Sequence, residues 1–242
     1  MRTVEDRRAA EIAHGENISS HAAEVWNWAS PSGRARADRR ADFLASGIAR
    51  RDLVLEIGAG TGEFTRRLAE RGLRIVATDL SFDLLRQIPT GPGGARHRVL
   101  ADAERLPFRS GVFGGVLGSS ILHHLDPPRA IREFLRALRR GAPFRFAEPN
   151  MANPQIAVQK NVPFLKRALG DTPDETAFFR WPLARLLARL GAGNVRVAPY
   201  DFLHPATPAA ALAAVDRIGR ILERVPLLGE IAGSLQISGT KA

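Results

Sequence analysis

The sequence contains no cysteine. Disulfides, thiolate metal sites and cysteine nucleophiles are therefore excluded. Lysine is nearly absent as well, at Lys160, Lys166 and Lys241 only. No apolar run approaches the ~20 residues that a membrane helix needs. The opening residues, including Arg2, Glu5, Asp6, Arg7 and Arg8, are too charged for a secretory signal. Together these absences predict a cytoplasmic protein. Internal repeats, low-complexity tracts, zinc-finger spacings and basic tracts interleaved with aromatics are missing too. That last absence matters because the formal net charge is +10. The charge is almost all arginine, interleaved with acids as in Arg36-Ala37-Asp38-Arg39-Arg40-Ala41-Asp42. It reads as a solvated surface rather than a nucleic-acid footprint, so no nucleic-acid partner is expected.

What is present fits one α/β domain. The chain has 242 residues, 45% of them hydrophobic, enough for a large core. Its organising stretch is Val54-Leu55-Glu56-Ile57-Gly58-Ala59-Gly60-Thr61-Gly62. The apolar run from Leu53 starts a buried strand, and glycines fall on alternate positions at Gly58, Gly60 and Gly62. A helical pattern over 63–71 follows, closed by Gly72. A strand, glycine turn and helix in succession bring backbone N–H groups and a helix N-terminus close to a ligand. The dinucleotide fingerprint G-x-G-x-x-G does not fit, because Glu63 stands where a small third residue is required. Glu56 and Glu63 would also repel a pyrophosphate, and no Gly-Lys-Ser/Thr follows to make a P-loop.

Further strands are predicted at 73–79, 97–102, 115–120, 144–148, 194–197 and 235–238. Helices are predicted over 35–49, from the Ser81 N-cap to Ile88, and over 130–140, 183–190 and 209–225. The N-terminal 30 residues read as helical. His21, Val25 and Trp28 share a face there with Trp26 close by, and Ser30-Pro31-Ser32-Gly33 acts as a break. Alternation of strand and helix argues for a parallel sheet covered on both faces. In such sheets ligands sit beyond the carboxyl ends of the strands. Asp79 ends the second strand, where a carboxylate can accept both ribose hydroxyls. Asp102 ends the third, where it can accept an adenine amino group. Either acid alone is better explained as a helix cap or loop residue. A glycine turn followed by two strand-end acids points instead to an adenosine whose other end is cationic.

These residues carry a resemblance. Residues ~50–150 resemble the core of the class I S-adenosylmethionine-dependent methyltransferases, in the group that includes ubiquinone and menaquinone methyltransferases. Val54 to Gly62 matches the first motif of that family and Thr78-Asp79 its ribose-binding acid. Ala101-Asp102-Ala103-Glu104-Arg105-Leu106-Pro107-Phe108 matches the adenine-binding segment, and Ser120-Ile121-Leu122-His123-His124-Leu125 the motif after strand four. The chain departs from the family's frequent Phe-Asp before strand four, having Phe113-Gly114, and from Pro-Gly-Gly before strand five, having Arg140-Gly141-Ala142-Pro143.

The resemblance implies a Rossmann-like, doubly wound, seven-stranded sheet, mostly parallel with an antiparallel last strand. It implies S-adenosylmethionine as cofactor, held by Glu56, Gly58, Ala59, Gly60, Gly62, Asp79, Leu80, Asp102, Ala103 and the Ser119 backbone. Glu56 would help hold the cationic methionine end. The expected organisation is a helical cap over 1–50, a cofactor core over 51–150 and a substrate-side lid with the last strands over 151–242.

Methyl transfer from a sulfonium is an in-line displacement, so alignment supplies much of the catalysis. An alcohol or ammonium acceptor also needs a base. The candidates are His123, His124 and Glu148, histidine being suited by titrating near neutrality. One histidine of such a pair is commonly structural in the family, and Glu148 and Asn150 have the alternative of ordering the turn before Pro149 and Pro154. No metal is expected. Residues 14–34, 151–181 and 199–228 are the candidate lid, with Phe164, Phe178, Phe179, Trp181, Tyr200 and Phe202 suiting a small or lipid-like acceptor. Methylation at O or at N fits, and C-methylation is compatible too. Two other readings stand beside it: an RNA or protein methyltransferase, and a protein that binds the cofactor without transferring methyl, as a regulator or cyclase-like catalyst.

Overall fold

Leu53–Ile57 forms strand β1, and every residue after Leu53 is buried, as a strand covered on both faces requires. In the computed structural model, residues 4–18, 27–168, 171–172 and 175–242 are described. The other strands are β2 (Arg74–Asp79), β3 (His97–Leu100), β4 (Gly115–Ser119), β5 (Pro143–Pro149), β6 (Ala192–Tyr200) and β7 (Ser234–Lys241). They make one seven-stranded sheet in the order β3-β2-β1-β4-β5-β7-β6. Pairs within β1–β5 are parallel, and β7 runs antiparallel to both β5 and β6. The expected fold class is the one observed. Strand order reverses between β1 and β4, so the crevice of an open α/β sheet falls at the glycine turn.

Helices cover both faces. On one lie α2 (Pro31–Ala45), α3 (Glu63–Glu70) and the single turn α4 (Phe82–Leu85), against which α1 (Val4–Ile18) rests. Ala37, Ala41, Leu44, Phe64, Leu68 and Leu85 of α2–α4 pack there against Val54 and Ile75. On the other face lie α5 (Pro127–Ala137) and, beyond two short helices α6 (Pro154–Asn161) and α7 (Pro163–Ala168), α8 (Arg180–Arg189). Phe134 of α5 packs on Phe144 and Phe146 of β5 with ring centroids 5.2 and 5.0 Å apart. Full burial of each such ring is worth roughly 1.5–3 kcal/mol. Helix α9 (Leu212–Leu222) precedes β7.

Several boundaries move for identifiable reasons. Helix α2 starts at Pro31 rather than Ala35, because the Ser30 side chain accepts from the Gly33 N–H at 2.9 Å and Pro31 suits the first turn. The sequence expected as a break is thus a cap. Helix α5 starts and ends three residues early: Asp126 caps it through the Arg129 N–H, and Leu138 leaves to bridge Phe113. Strands β6 and β7 are longer than expected, since each is the other's partner along the edge. Residues His21, Val25 and Trp26 lie outside the described residues.

Candidate active site

All five parallel strands end on the same edge, and the candidate residues gather there. In the glycine turn Gly58, Gly60 and Gly62 have φ of +67°, +53° and +84°, a region costly to residues with a Cβ. At Gly58 a Cβ would also lie 2.5 Å from Ile121 Cγ1. The turn is tied to β2 by Ala59 N–H donating to Thr78 O and by Gly60 N–H donating to Asp79 Oδ2 at 2.8 Å. Asp79 Oδ1 accepts from Ser81 N–H at 2.9 Å. Burial raises the Asp79 pKa, with these N–H groups opposing the rise. The Leu80 N–H adds a third backbone donor, so of the about four acceptor sites that a carboxylate offers one stays open toward a ribose hydroxyl. Leu80 follows half-buried, and Ala103 is buried beside Asp102. Asp102 Oδ1 accepts from Glu104 N–H at 2.8 Å, and its other oxygen pairs with Arg8 of α1.

The Glu56 side chain is buried, and its Oε2 accepts from Thr65 Oγ1 at 2.6 Å. Burial pushes its carboxyl up to about 8; the Thr65 hydrogen bond opposes this and the charge of Asp79 adds to it. As it stands, Glu56 is mostly protonated near neutral pH.

Beyond β4, the chain turns through a 3₁₀ segment at Leu122–His124. The backbone N–H groups of Ile121 and Leu122 both donate to Glu148 Oε1, at 3.0 and 2.9 Å. Glu148 Oε2 lies 2.6 Å from His123 Nδ1, and Glu175 Oε1 lies 3.3 Å from His123 Nε2. His123 is thereby clamped between two carboxylates. Burial disfavours its charge, but Glu148 and Glu175 outweigh burial and raise its pKa to about 9. His123 is an imidazolium with both nitrogens engaged. Burial also works against ionised Glu175, yet His123, His124 and Lys160 hold its carboxyl well below the usual range. Lys160 pairs with Glu175 and sits 3.0 Å from Asp171.

His124 is less enclosed. Its Nδ1 is 3.1 Å from Glu11 Oε2 of α1, and Glu11 Oε1 accepts from Thr172 Oγ1 at 2.9 Å. Helix α1 therefore spans the edge of the sheet. It touches Asp102 through Arg8, His124 and Thr172 through Glu11, and Ser81 through Gly15, where a Cβ would meet Ser81 Cβ at 2.7 Å. One atom each from His123, His124 and Glu175 come within 4.8 Å of one another, a spacing a metal could use. Lys160 already supplies a cation to that carboxylate.

The third wall is unexpected. Arg40 of α2 is buried and donates to Ser119 Oγ and Ser120 Oγ, each at 3.0 Å, and to Tyr200 Oη and Ser234 Oγ, each at 3.2 Å. Its guanidinium stands 5.5 Å from the centre of the Trp28 ring. Trp28 meets Phe64, just past the glycine turn, edge-on at 5.4 Å. One signal in the sequence pointed to Arg40: it lies on the Ala37–Ala41–Leu44 stripe, four residues before Leu44. Arg8, Glu11, Lys160 and Glu175 carried no comparable pattern.

The methyltransferase-domain family matches residues 55–146. A demethylmenaquinone methyltransferase of Thermobifida fusca is 32% identical over 184 residues, covering 67% of this chain and 78% of that one. A malonyl-[acyl-carrier protein] O-methyltransferase of Geobacter sulfurreducens is 33% identical over 176 residues, covering 69% of this chain and 65% of that one. Among solved structures, a Thermotoga maritima methyltransferase, a possible histamine N-methyltransferase, aligns with a TM-score of 0.66 at 18% identity over 95% of this chain and all of that one. It shows the shared fold. The chain belongs to the class I S-adenosylmethionine-dependent methyltransferases. Within them it is of the quinone methyltransferase-like kind, an enzyme with S-adenosylmethionine as its cofactor. Among the described residues no helix is long and apolar enough to cross a membrane.

Proposed function

We propose that this enzyme methylates a small organic acceptor in a roofed pocket, with the cofactor on the glycine turn. One observation carries the acceptor class. Glu11 of α1 reaches His124 and Thr172 at once, so the N-terminal helix meets the segment before α8 across the site. An acceptor must fit beneath that roof, which suits a small molecule and not a polymer lying in an open groove. Arg8, Glu11 and Gly15 belong to the cap over 1–50, and Thr172 and Glu175 to the lid over 151–242.

In this reading Asp79 holds the ribose and Asp102 the adenine, while Gly58, Ala59, Gly60, Gly62, Leu80, Ala103 and Ser119 shape the crevice. The fit rests on observed features: a turn that excludes Cβ atoms, and a strand-end carboxylate held to that turn by backbone N–H groups. S-adenosylmethionine supplies an activated methyl electrophile. The chain's part is to align the acceptor with it and to manage the acceptor's proton.

His123 is unsuited to taking that proton, being already protonated and held at both nitrogens. Glu148 is committed to His123 and two backbone N–H groups. His124 is the base of choice. Glu11 lies within ion-pair distance of its Nδ1, and its Nε2 would take the acceptor's proton. The proposed setting is cytoplasmic.

The test is transfer of labelled methyl from the cofactor to a panel of quinones, carboxylic acids and amines. Label in an organic-soluble product supports the proposal. Label confined to RNA or protein refutes the acceptor class. Calorimetric binding of S-adenosylhomocysteine without any transfer leaves a cofactor-binding protein that does not methylate.

A further inference from the structure

Arg40 has a charge without a counterion. A guanidinium carries five N–H donors and is ionised at any relevant pH. Four of Arg40's contacts are hydrogen bonds to neutral hydroxyls: Ser119, Ser120, Tyr200 and Ser234. Among the described residues no carboxylate lies within ion-pair distance of it. The two acids nearest in the field are already engaged, Asp201 with Arg36 at 2.9 Å and Glu148 with His123 at 2.6 Å. Buried charges are ordinarily paired, because leaving water is costly without compensation. A structural role alone would be served as well by a neutral donor. The position therefore calls for an anion that arrives with a ligand.

Its location says which ligand. Arg40 bonds the two serines at the end of β4, and the Trp28 ring it stacks on meets Phe64 beside the glycine turn. It thus stands over the gap between β1 and β4, where the strand order reverses. The acids suited to adenosine, Asp79 and Asp102, lie on the opposite side of that gap, after β2 and β3. A ligand with its nucleoside on those acids extends its other end toward β4. Glu11, His124 and Thr172, which roof the acceptor, form a separate group after β4 and on the lid.

We propose that Arg40, steadied by Ser119 and Ser120, receives the carboxylate of the cofactor's methionine tail. This rests on the reading of the glycine turn as the cofactor seat. One N–H, on Nη2, is left over from the four hydroxyl contacts and would bond a carboxylate oxygen of the tail, with the opposite charges adding to that hydrogen bond. Arg40 then sets the angle at which the sulfur presents its methyl group, while the adenosine acids act independently of it.

Calorimetry with two ligands separates the parts. S-adenosylhomocysteine carries the tail; 5′-methylthioadenosine has the same nucleoside and sulfur without it. In Arg40→Met, S-adenosylhomocysteine affinity should fall roughly 10- to 100-fold, as for loss of a charge-assisted hydrogen bond, with methylthioadenosine affinity unchanged. Arg40→Lys should recover part of the loss. Equal losses for both ligands, or no loss for either, would overturn the proposal. A measurement on the unaltered chain covers the case in which Arg40→Met does not fold. Decarboxylated S-adenosylmethionine keeps the sulfonium and the ammonium, and it should bind at least ~10-fold more weakly than the intact cofactor; equal affinity would also overturn the proposal. If the unaltered chain binds neither S-adenosylhomocysteine nor methylthioadenosine, the cofactor seat itself has been misplaced, a failure distinct from the two above.

Discussion

His123 offers the sharpest test of how charge is used in this site. Replacing it by Gln keeps a polar side chain of similar reach and removes the imidazolium. The folded pKa of about 9 stands above the ordinary 6.5 because burial is outweighed by Glu148 and Glu175. A rise from 6.5 to about 9, at ~1.36 kcal/mol per unit, corresponds to about 3 kcal/mol of stability. The sign follows from proton counts. Below 6.5 both folded and unfolded chains bind the proton, and the full contribution is present. Between 6.5 and 9 the folded state binds more protons than the unfolded one, so stability falls as pH rises, and above 9 the contribution is gone. Glu56 adds a slope of the same sign between 4.5 and 8, since its folded carboxyl stays protonated while the unfolded one ionises. The variant retains that second slope, so it cancels in the difference between the two proteins. Urea unfolding of both, at pH 6 and at pH 9.5, is the assay. The destabilisation by His123→Gln should be about 3 kcal/mol smaller at the higher pH. A penalty that does not vary with pH would mean a neutral His123, and His123 would return as a candidate base.

The remaining predictions concern binding, catalysis and packing. Asp79→Ala and Gly60→Val should each lower S-adenosylhomocysteine affinity at least ~10-fold by calorimetry, the first by losing a charged acceptor and the second by placing a Cβ at φ +53°; unchanged binding in both would show the site is elsewhere. His124→Gln should lower kcat by roughly 10²-fold or more with little change in cofactor affinity if it serves as base, and an unaltered pH–rate profile would refute the role. Lys160→Met should cost roughly 1–3 kcal/mol in urea unfolding, because Asp171 is left with the Gln159 amide and Glu175 with the two histidines.

The sheet was legible because its signals are local. An apolar run followed by glycines on alternate positions leaves the chain few ways to fold, and 73–79 and 115–120 repeat the rhythm. The boundaries that moved were decided by partners outside the local window. Leu138 ends α5 early because Phe113 lies across from it, and β6 extends to Tyr200 because β7 runs alongside as far as Ser234. Ser30-Pro31 was ambiguous in a different way. The same two residues that punctuate a loop also begin a helix, and only the Gly33 N–H reaching Ser30 decides between them.

The candidate site divides along the same line. Gly58, Gly60, Asp79 and Asp102 could be found because strand ends in a parallel sheet have a fixed relation to a ligand. The charges that tune them could not, because they come from far along the chain. Glu175 reaches His123 from 52 residues away in sequence, and Glu11 reaches His124 from 113 (175 − 123 and 124 − 11). The pair His123-His124 looks like two equivalent bases when read as sequence. In the fold, one ring sits between two carboxylates and is fixed as a cation, while its neighbour has Glu11 of α1 at 3.1 Å and Glu175 at 3.9 Å, both on the same nitrogen. Arg40 shows the complementary case. Its place on a buried helical stripe is visible in sequence, but a buried arginine ordinarily implies a nearby acid. Only the structure shows its hydrogen bonds going to hydroxyls and the neighbouring acids already taken, which turns a packing residue into one that awaits an anion.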